Sequence, residues 1–164
     1  MRKSKINISG FKIGTAENRD GLTGVTVILA PDGGATAGVD VRGCAPGTRE
    51  TDLLDPRKTV QKIHAVVLSG GSAFGLEAAS GCVKYLAEQG VGFPIGNVCV
   101  PIVCSAVLFD LMIGDEKAYP DLLMGYEAAK SASSEFLSGC NGAGTGATAV
   151  SYTHLRAHET EADL

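Results

Sequence analysis

The clearest periodic signal along the chain is Gly24-Val25-Thr26-Val27-Ile28-Leu29-Ala30, in which β-branched and apolar residues alternate. A period of two predicts a strand with one buried face. Asp32-Gly33-Gly34 is a turn signal, and Ala35 to Val41 reads as the returning strand, so a β-hairpin is expected. Arg42 to Pro56 reads as a loop, and Lys58 to Ile63 as one or two helical turns. The apolar run Ala65 to Leu68 predicts a short buried strand, and Ser69-Gly70-Gly71-Ser72 a sharp turn after it. A helix should follow from about Ala73 to Gln89, with Leu76, Ala79, Val83 and Leu86 on its apolar stripe and Gly90 as its stop. Pro101 to Leu111 reads as another strand or a loop-strand. Pro120 opens a second helix, with Asp121 near its start, running to about Leu137 and ended by Gly139. Gly142-Ala143-Gly144-Thr145-Gly146 is a second glycine-rich turn. Strands and helices mixed in this order predict an α+β layered structure.

Composition narrows the class. The chain has 164 residues, 45% hydrophobic and 20% charged, which suits one globular domain. Its net charge of −4, without a Lys/Arg cluster, argues against nucleic acid or an anionic membrane as partner. The uncharged run from Gln89 to Phe109 reaches membrane length, but Pro94, Asn97 and Pro101 would break a spanning helix. A buried strand–loop–strand is expected there instead. Met1 to Gly10 has a basic flank and no apolar segment, so no signal peptide is expected and the location is read as cytoplasmic. Cys44, Cys82, Cys99, Cys104 and Cys140 form no C-x-x-C pair and read as reduced thiols. No metal site is expected, since Cys99 and Cys104 have only His64 as a histidine outside the tail.

The segment from His64 to Leu76 is strand, glycine turn, helix. The amides of Gly70, Gly71 and Ser72 are the donors that such a turn offers to an anion or oxyanion. It matches neither G-x-x-x-x-G-K-[ST] nor G-x-G-x-x-G, and a tight turn that needs small residues explains it equally. Ser69 and Ser72 are hydroxyl nucleophiles by type, but neither sits in G-x-S-x-G, and Ser72 reads as a helix cap. A triad of serine, His64 and Asp110 or Asp115 rests on residue identity alone. Gly142 to Thr148 offers further amides and two hydroxyls to a pocket beside Gly70 and Gly71.

The end of the chain is of a different kind. From about Ala149, Val150-Ser151-Tyr152-Thr153-His154-Leu155-Arg156-Ala157-His158-Glu159-Thr160 resembles the in-frame translation of a transposon-type sequencing adapter. Residues 1–149 are therefore read as the natural part and residues 150–164 as a non-native tail. The i, i+4 pair His154 and His158, a metal-ligand spacing by itself, is discounted with it.

Several motifs occur in order across the natural part: Thr23-Gly24-Val25-Thr26-Val27, Val39-Asp40-Val41-Arg42-Gly43, Ala45-Pro46-Gly47-Thr48-Arg49-Glu50-Thr51 and Leu68-Ser69-Gly70-Gly71-Ser72-Ala73-Phe74-Gly75-Leu76. Val100-Pro101-Ile102-Val103, Phe109-Asp110-Leu111 and Gly142-Ala143-Gly144-Thr145-Gly146-Ala147-Thr148 follow. The set resembles the L-aminopeptidase/D-esterase family, whose relatives include β-peptidyl aminopeptidases and nylon-oligomer hydrolases. The resemblance covers nearly all of Phe11 to Thr148.

It implies an α-β-β-α layered sandwich, here incomplete, and a precursor that cuts itself once to expose an N-terminal Ser or Thr nucleophile. It implies a small peptide or amide as substrate, no cofactor, and a homo-oligomer at full length. The family's nucleophile, its oxyanion Asn and a Lys just past the second glycine turn fall beyond the natural part, so no catalytic residue is assigned. Gly70, Gly71, Ser72, Phe109, Asp110, Gly144 and Thr145 are the substrate-binding candidates. Phe109 stands where some relatives carry Tyr, and Cys104-Ser105 where many have Pro-Ala. The fragment itself is expected to be inactive. Two other readings remain at this point: a small-molecule or phosphate-binding module built on the glycine turns, and an acetyltransferase on the related ornithine acetyltransferase plan.

Overall fold

The structure, a computed structural model, describes residues 2–149 and 152–156, with side chains described over residues 2–148. In chain order its strands and helices are β1 (Arg2–Lys5), β2 (Lys12–Asn18), β3 (Thr23–Leu29), β4 (Thr48–Arg49), β5 (Ala65–Ser69), α1 (Ala78–Glu88), β6 (Phe93–Ile95), β7 (Val98–Val100), β8 (Val103–Val107), α2 (Leu122–Lys130), β9 (Glu135–Ser138), β10 (Thr148–Ala149) and β11 (Tyr152–Arg156). Short 3-10 turns occupy Asp52–Leu54, Ser72–Glu77 and Gly142–Gly144. The mixed helix-and-sheet class expected from the pattern is what the chain forms.

A five-stranded sheet in the order β2-β3-β5-β8-β4 is the frame. Only β5 and β8 run parallel, because α1 and the β6–β7 hairpin carry the chain back between them. Alternation then sorts the side chains. Val25, Val27, Leu29, Ala65, Val67 and Val103 point to one face and are buried against Ala78, Ala79, Cys82 and Leu86 of α1 and Ala128 and Ala129 of α2. The helices reach the sheet and each other closely because the contact points are glycines. A Cβ on Gly14 would lie 1.9 Å from the carbonyl oxygen of Ala128. Asp121 caps α2, its carboxylate accepting from the Met124 amide at 2.8 Å. The opposite face is only partly covered: Thr26, Ile28 and Val66 are half-buried and Leu68 is exposed.

Four local expectations are corrected. The partner of β3 is β2, paired from Lys12↔Leu29 to Asn18↔Thr23, and not Ala35 to Val41. Gly33 and Gly34, both at positive φ, turn the chain away, and of that segment only Ala35 makes a bridge, to Ile63. Lys58 to Ile63 forms no helical turn; the 3-10 turn lies earlier, at Asp52–Leu54. The second helix ends at Lys130 and not near Leu137. Beyond it the Ser131 hydroxyl donates to the Ala128 carbonyl at 3.0 Å, and Ser133 bridges to Ile13. The serine-rich run thus competes with helical bonding and hands the chain to β9, which pairs with β1. Finally, Gln89 to Phe109 is buried only in its second half. Its first half is the exposed β6–β7 hairpin, with Ile95 and Val98 largely in solvent, while Val103, Cys104 and Ser105 of β8 are buried. Among the described residues no helix is long and apolar enough to cross a membrane.

No disulfide joins the five cysteines. Burial pushes the Cys82 thiol up to about 12 and raises that of Cys104, whose Sγ donates to the Glu50 carbonyl at 3.3 Å. Both are packing residues with little thiolate character.

Two buried polar residues of the sheet carry stability predictions. His64, at the entry to β5, is 6% exposed and accepts the Ile102 amide on Nδ1 at 3.1 Å. Burial lowers its pKa below the ordinary 6.5, with the Ile102 backbone contact opposing. Its contribution to stability is therefore complete above about 6.5. It is lost as pH falls from there toward the lower folded value, because the unfolded chain takes the proton first. The urea midpoint should begin to drop as pH falls through about 6.5, and His64→Gln should flatten that drop. Asp55, held at about 2 by its hydrogen bond with Arg57, titrates outside this window. The Ser105 hydroxyl is buried without a hydrogen-bond partner. Ser105→Ala should raise stability by about 1 kcal/mol in the same urea assay, since it removes an unsatisfied buried group at almost constant volume.

Candidate functional site

The two glycine-rich turns meet at the ends of β3, β5 and β8, which is why residues distant in sequence form one site. The first turn is built on Asp110. This carboxylate is 3% exposed and accepts the Thr23 hydroxyl at 2.7 Å and the Gly71 amide at 2.6 Å. Gly71 has φ +78, and a Cβ there would lie 2.6 Å from Tyr119 Cβ, so glycine is required on both counts. A Cβ on Gly70 would lie 2.0 Å from an Asp110 oxygen.

The three amides offered by the first turn have internal acceptors. Gly70 donates to the Gly24 carbonyl at 2.9 Å, Gly71 to Asp110, and Ser72 to the Leu108 carbonyl at 2.9 Å. Ser72 does not cap a regular α-helix; it has φ +53 and begins a 3-10 turn that precedes α1.

The second turn rests on β2 and β3. The Gly142 amide donates to Glu17 at 3.2 Å and the Ala143 amide to the Thr26 hydroxyl at 3.1 Å. Arg19 bridges Glu17 at 2.7 Å and the Asn141 carboxamide oxygen at 3.0 Å. Gly146 packs against the Leu22 carbonyl and Asp110 Cβ, which brings the second turn onto the first. The Thr145 hydroxyl is buried and unpartnered.

Between the turns, on the sheet face away from the helices, lies a cleft of about 240 Å³ lined by Thr26, Leu68, Ser69, Ala106, Val107, Leu108, Asn141, Ala143 and Gly144. Its polar side chains are already engaged: Thr26 with Ala143, Asn141 with Arg19 and Ser138, and Ser69 with the Gly70 carbonyl. What remains toward the cavity is mostly aliphatic and carries no charge.

Of the residues singled out by sequence, Gly144 lines the cleft. Gly70, Gly71 and Asp110 form the buried node behind its end, Thr145 is buried in the second turn, and Phe109 is 55% exposed. Ser69 lines the cleft, but His64 sits at the opposite end of β5, so the serine–histidine arrangement does not assemble. Glu17, Arg19 and Asn141 are unmarked in the sequence, and Thr23 appears there only within a motif and not as a site candidate. A threonine opening a strand and an asparagine before a glycine turn are the faint signals they leave. Among the described residues no group of His, Cys, Asp or Glu could hold a metal ion; His154 and His158 lie outside the described side chains.

The profile of peptidase family S58 matches residues 5–153. The chain belongs to this family. An uncharacterized aminopeptidase of Mycobacterium tuberculosis is 48% identical over 126 residues, which cover 77% of this chain and 36% of that protein. A 6-aminohexanoate-oligomer endohydrolase of Paenarthrobacter ureafaciens is 36% identical over 146 residues, covering 88% of this chain and 38% of the relative. The solved structure of an L-aminopeptidase D-Ala-esterase/amidase from Ochrobactrum anthropi, described as a variant of the Ntn-hydrolase fold, superposes with a TM-score of 0.65. At 18% identity, over 86% of this chain and 43% of that one, it establishes likeness of fold. The chain thus spans less than half the length of each of these proteins.

Proposed function

We propose that this chain is the pocket-forming larger part of a cytoplasmic amide hydrolase of the aminopeptidase kind, which matures by cutting itself once. Membership of peptidase family S58 carries the reading. The nucleophile, a Ser or Thr freed at a new N-terminus, belongs to sequence beyond residue 149, and residues 150–164 are an adapter-derived tail. The chemistry follows from the nucleophile's position. Its own α-amine, with a pKa near 8, is unprotonated in about a tenth of the molecules at neutral pH, and that form serves as the base. Backbone amides and an Asn supplied by the missing part stabilise the oxyanion. No metal or organic cofactor takes part.

The cleft would hold the substrate's neutral portion, with Gly144 in its wall and Gly70, Gly71, Ser72, Phe109, Asp110 and Thr145 around it. The half-covered sheet face supports an α-β-β-α arrangement, because a second sheet packed there would bury Leu68, Ile28 and Val66. The mature enzyme would be a homo-oligomer. The internal acceptors of the Gly70, Gly71 and Ser72 amides weigh against a phosphate-binding role for the first turn.

The test has two arms. Intact-mass analysis and a chromogenic amino-acid amide assay on the 164-residue chain should show neither cleavage nor hydrolysis. The product of the uninterrupted gene should separate into two chains, the smaller beginning with Ser or Thr, and hydrolyse the amide. Activity in the short chain, or an active uninterrupted protein that stays in one piece, would refute the proposal.

A further inference from the structure

We infer that Asp110 is a positioning residue: its carboxylate latches the first glycine turn at Gly71 and, through Thr23, the Leu22 backbone against which the second turn is seated. The inference rests on the amide-hydrolase reading for its consequence, but its basis is the geometry around Asp110.

Two non-glycine residues with left-handed backbone flank the two groups that Asp110 holds. Leu22 has φ +52 and immediately precedes Thr23; Ser72 has φ +53 and immediately follows Gly71. Left-handed backbone is unfavourable for leucine and serine and persists only where surrounding contacts over-determine it. Asp110 supplies such contacts on both sides, through Thr23 at 2.7 Å and Gly71 at 2.6 Å. It takes part in none of the described ion pairs. A buried carboxylate whose hydrogen bonds go to two strained segments has a purpose beyond packing, since an apolar side chain would fill the same space at lower desolvation cost.

The latch reaches the cleft through the backbone. Ser72, held beside Gly71, donates to the Leu108 carbonyl, and Leu108 donates to the Ser69 carbonyl at 2.9 Å. Ser69 and Leu108 both line the cleft. On the other side, Gly146 is seated against Asp110 Cβ and the Leu22 carbonyl, which sets the height of the turn that contains Gly144. Losing the carboxylate frees the first wall directly, and the second through Leu22 once Thr23 is released, while the sheet beneath them stays intact. The consequence falls on how well substrate is held.

Asp110→Ala removes both acceptors. Asp110→Asn keeps both hydrogen bonds, one of them reversed, because its carbonyl accepts from Gly71 while its NH2 donates to the Thr23 hydroxyl, which can turn to accept. In the uninterrupted protein, assayed on an amino-acid p-nitroanilide, Asp110→Ala should raise KM by about tenfold with kcat within about threefold, and Asp110→Asn should recover most of the loss. Thr23→Val, which removes one of the two bonds, should raise KM by about threefold and carries the test if Asp110→Ala does not fold. An unchanged KM in the folded variants, or Asp110→Asn as impaired as Asp110→Ala, would overturn the latch.

Hydrogen exchange separates this proposal from the function it rests on. In the 164-residue chain the Gly71 amide should exchange at least about tenfold faster in Asp110→Ala, or in Asp110→Leu, which fills the space without an acceptor, if the alanine variant does not fold, and not in Asp110→Asn. If the wild-type uninterrupted protein hydrolyses no amide, the functional reading fails, and unaltered Gly71 exchange is then the result that sinks the latch.

Discussion

Gly81→Ala should destabilise the chain by about 2 kcal/mol, although alanine is the better helix former. Gly81 lies inside α1, where replacing glycine by alanine at an exposed site would gain about 1 kcal/mol of helix propensity. Here the new Cβ would stand 1.9 Å from the Leu122 carbonyl oxygen and 2.5 Å from the Tyr126 amide nitrogen. Both are backbone atoms of α2, so no rotamer change relieves the contact. The helices must part, and overpacking of this kind costs about 1–3 kcal/mol and at times more. The steric cost outweighs the gain in propensity, so the sign is destabilising. Gly125→Ala should act alike, because its Cβ would meet the Ala78 carbonyl oxygen at 1.9 Å from the other side of the same interface. The two costs should not add, since parting the helices once relieves both contacts. Urea denaturation followed by circular dichroism measures the change in each variant and in the pair. A gain in stability for either variant would show that the helices are not in contact through these residues.

Gly70→Ala should cost about 3 kcal/mol, the upper end of ordinary overpacking. The added carbon would lie 2.0 Å from an Asp110 oxygen and 2.5 Å from the Thr23 hydroxyl. Those are side-chain atoms and in principle movable. However, Asp110 is 3% exposed and Thr23 1% exposed, and each is tied by the hydrogen bond that joins them. Moving either breaks that bond inside the protein and leaves a buried polar group without its partner, which costs about 1–3 kcal/mol by itself. The same substitution in an Asp110→Ala background should cost at least about 1 kcal/mol less, because the obstructing oxygen is gone. Strictly additive effects in this double-mutant cycle would mean that Gly70 is not constrained by Asp110.

These residues show what could be read from the chain beforehand. The strand around Val25 and Val27, the short strand Ala65 to Ser69, the glycine turn after it, the helix ending near Gly90 and the Pro120–Asp121 helix start were legible because each depends on neighbours in sequence. The same local logic misplaced the partner of β3. Ala35 to Val41 alternates as a strand should, but alternation says only that a segment is able to pair. Gly33 and Gly34 direct it elsewhere, while Gly14 and Ala16 of β2 leave room for α2. The helix that was expected to reach Leu137 failed for a related reason: Ser131 and Ser133 found partners in Ala128, Ile13 and Glu135, which no helical periodicity reports.

The class and the family of this protein are legible from the chain alone. Ordered motifs from Thr23 to Thr148 need no coordinates, and the glycines within them already mark where backbone comes close. Both glycine turns can be placed in the same way, since a turn is a local event. What those turns do depends on the fold. The amides that the sequence offered as donors at Gly70, Gly71 and Ser72 are taken by Gly24, Asp110 and Leu108, and the carboxylate that organises them comes from 39 residues beyond Gly71. Hydrogen bonds of that span depend on which strands lie side by side. That order is fixed by burial of one apolar sheet face against two helices, an interaction without direction that no short stretch of sequence records.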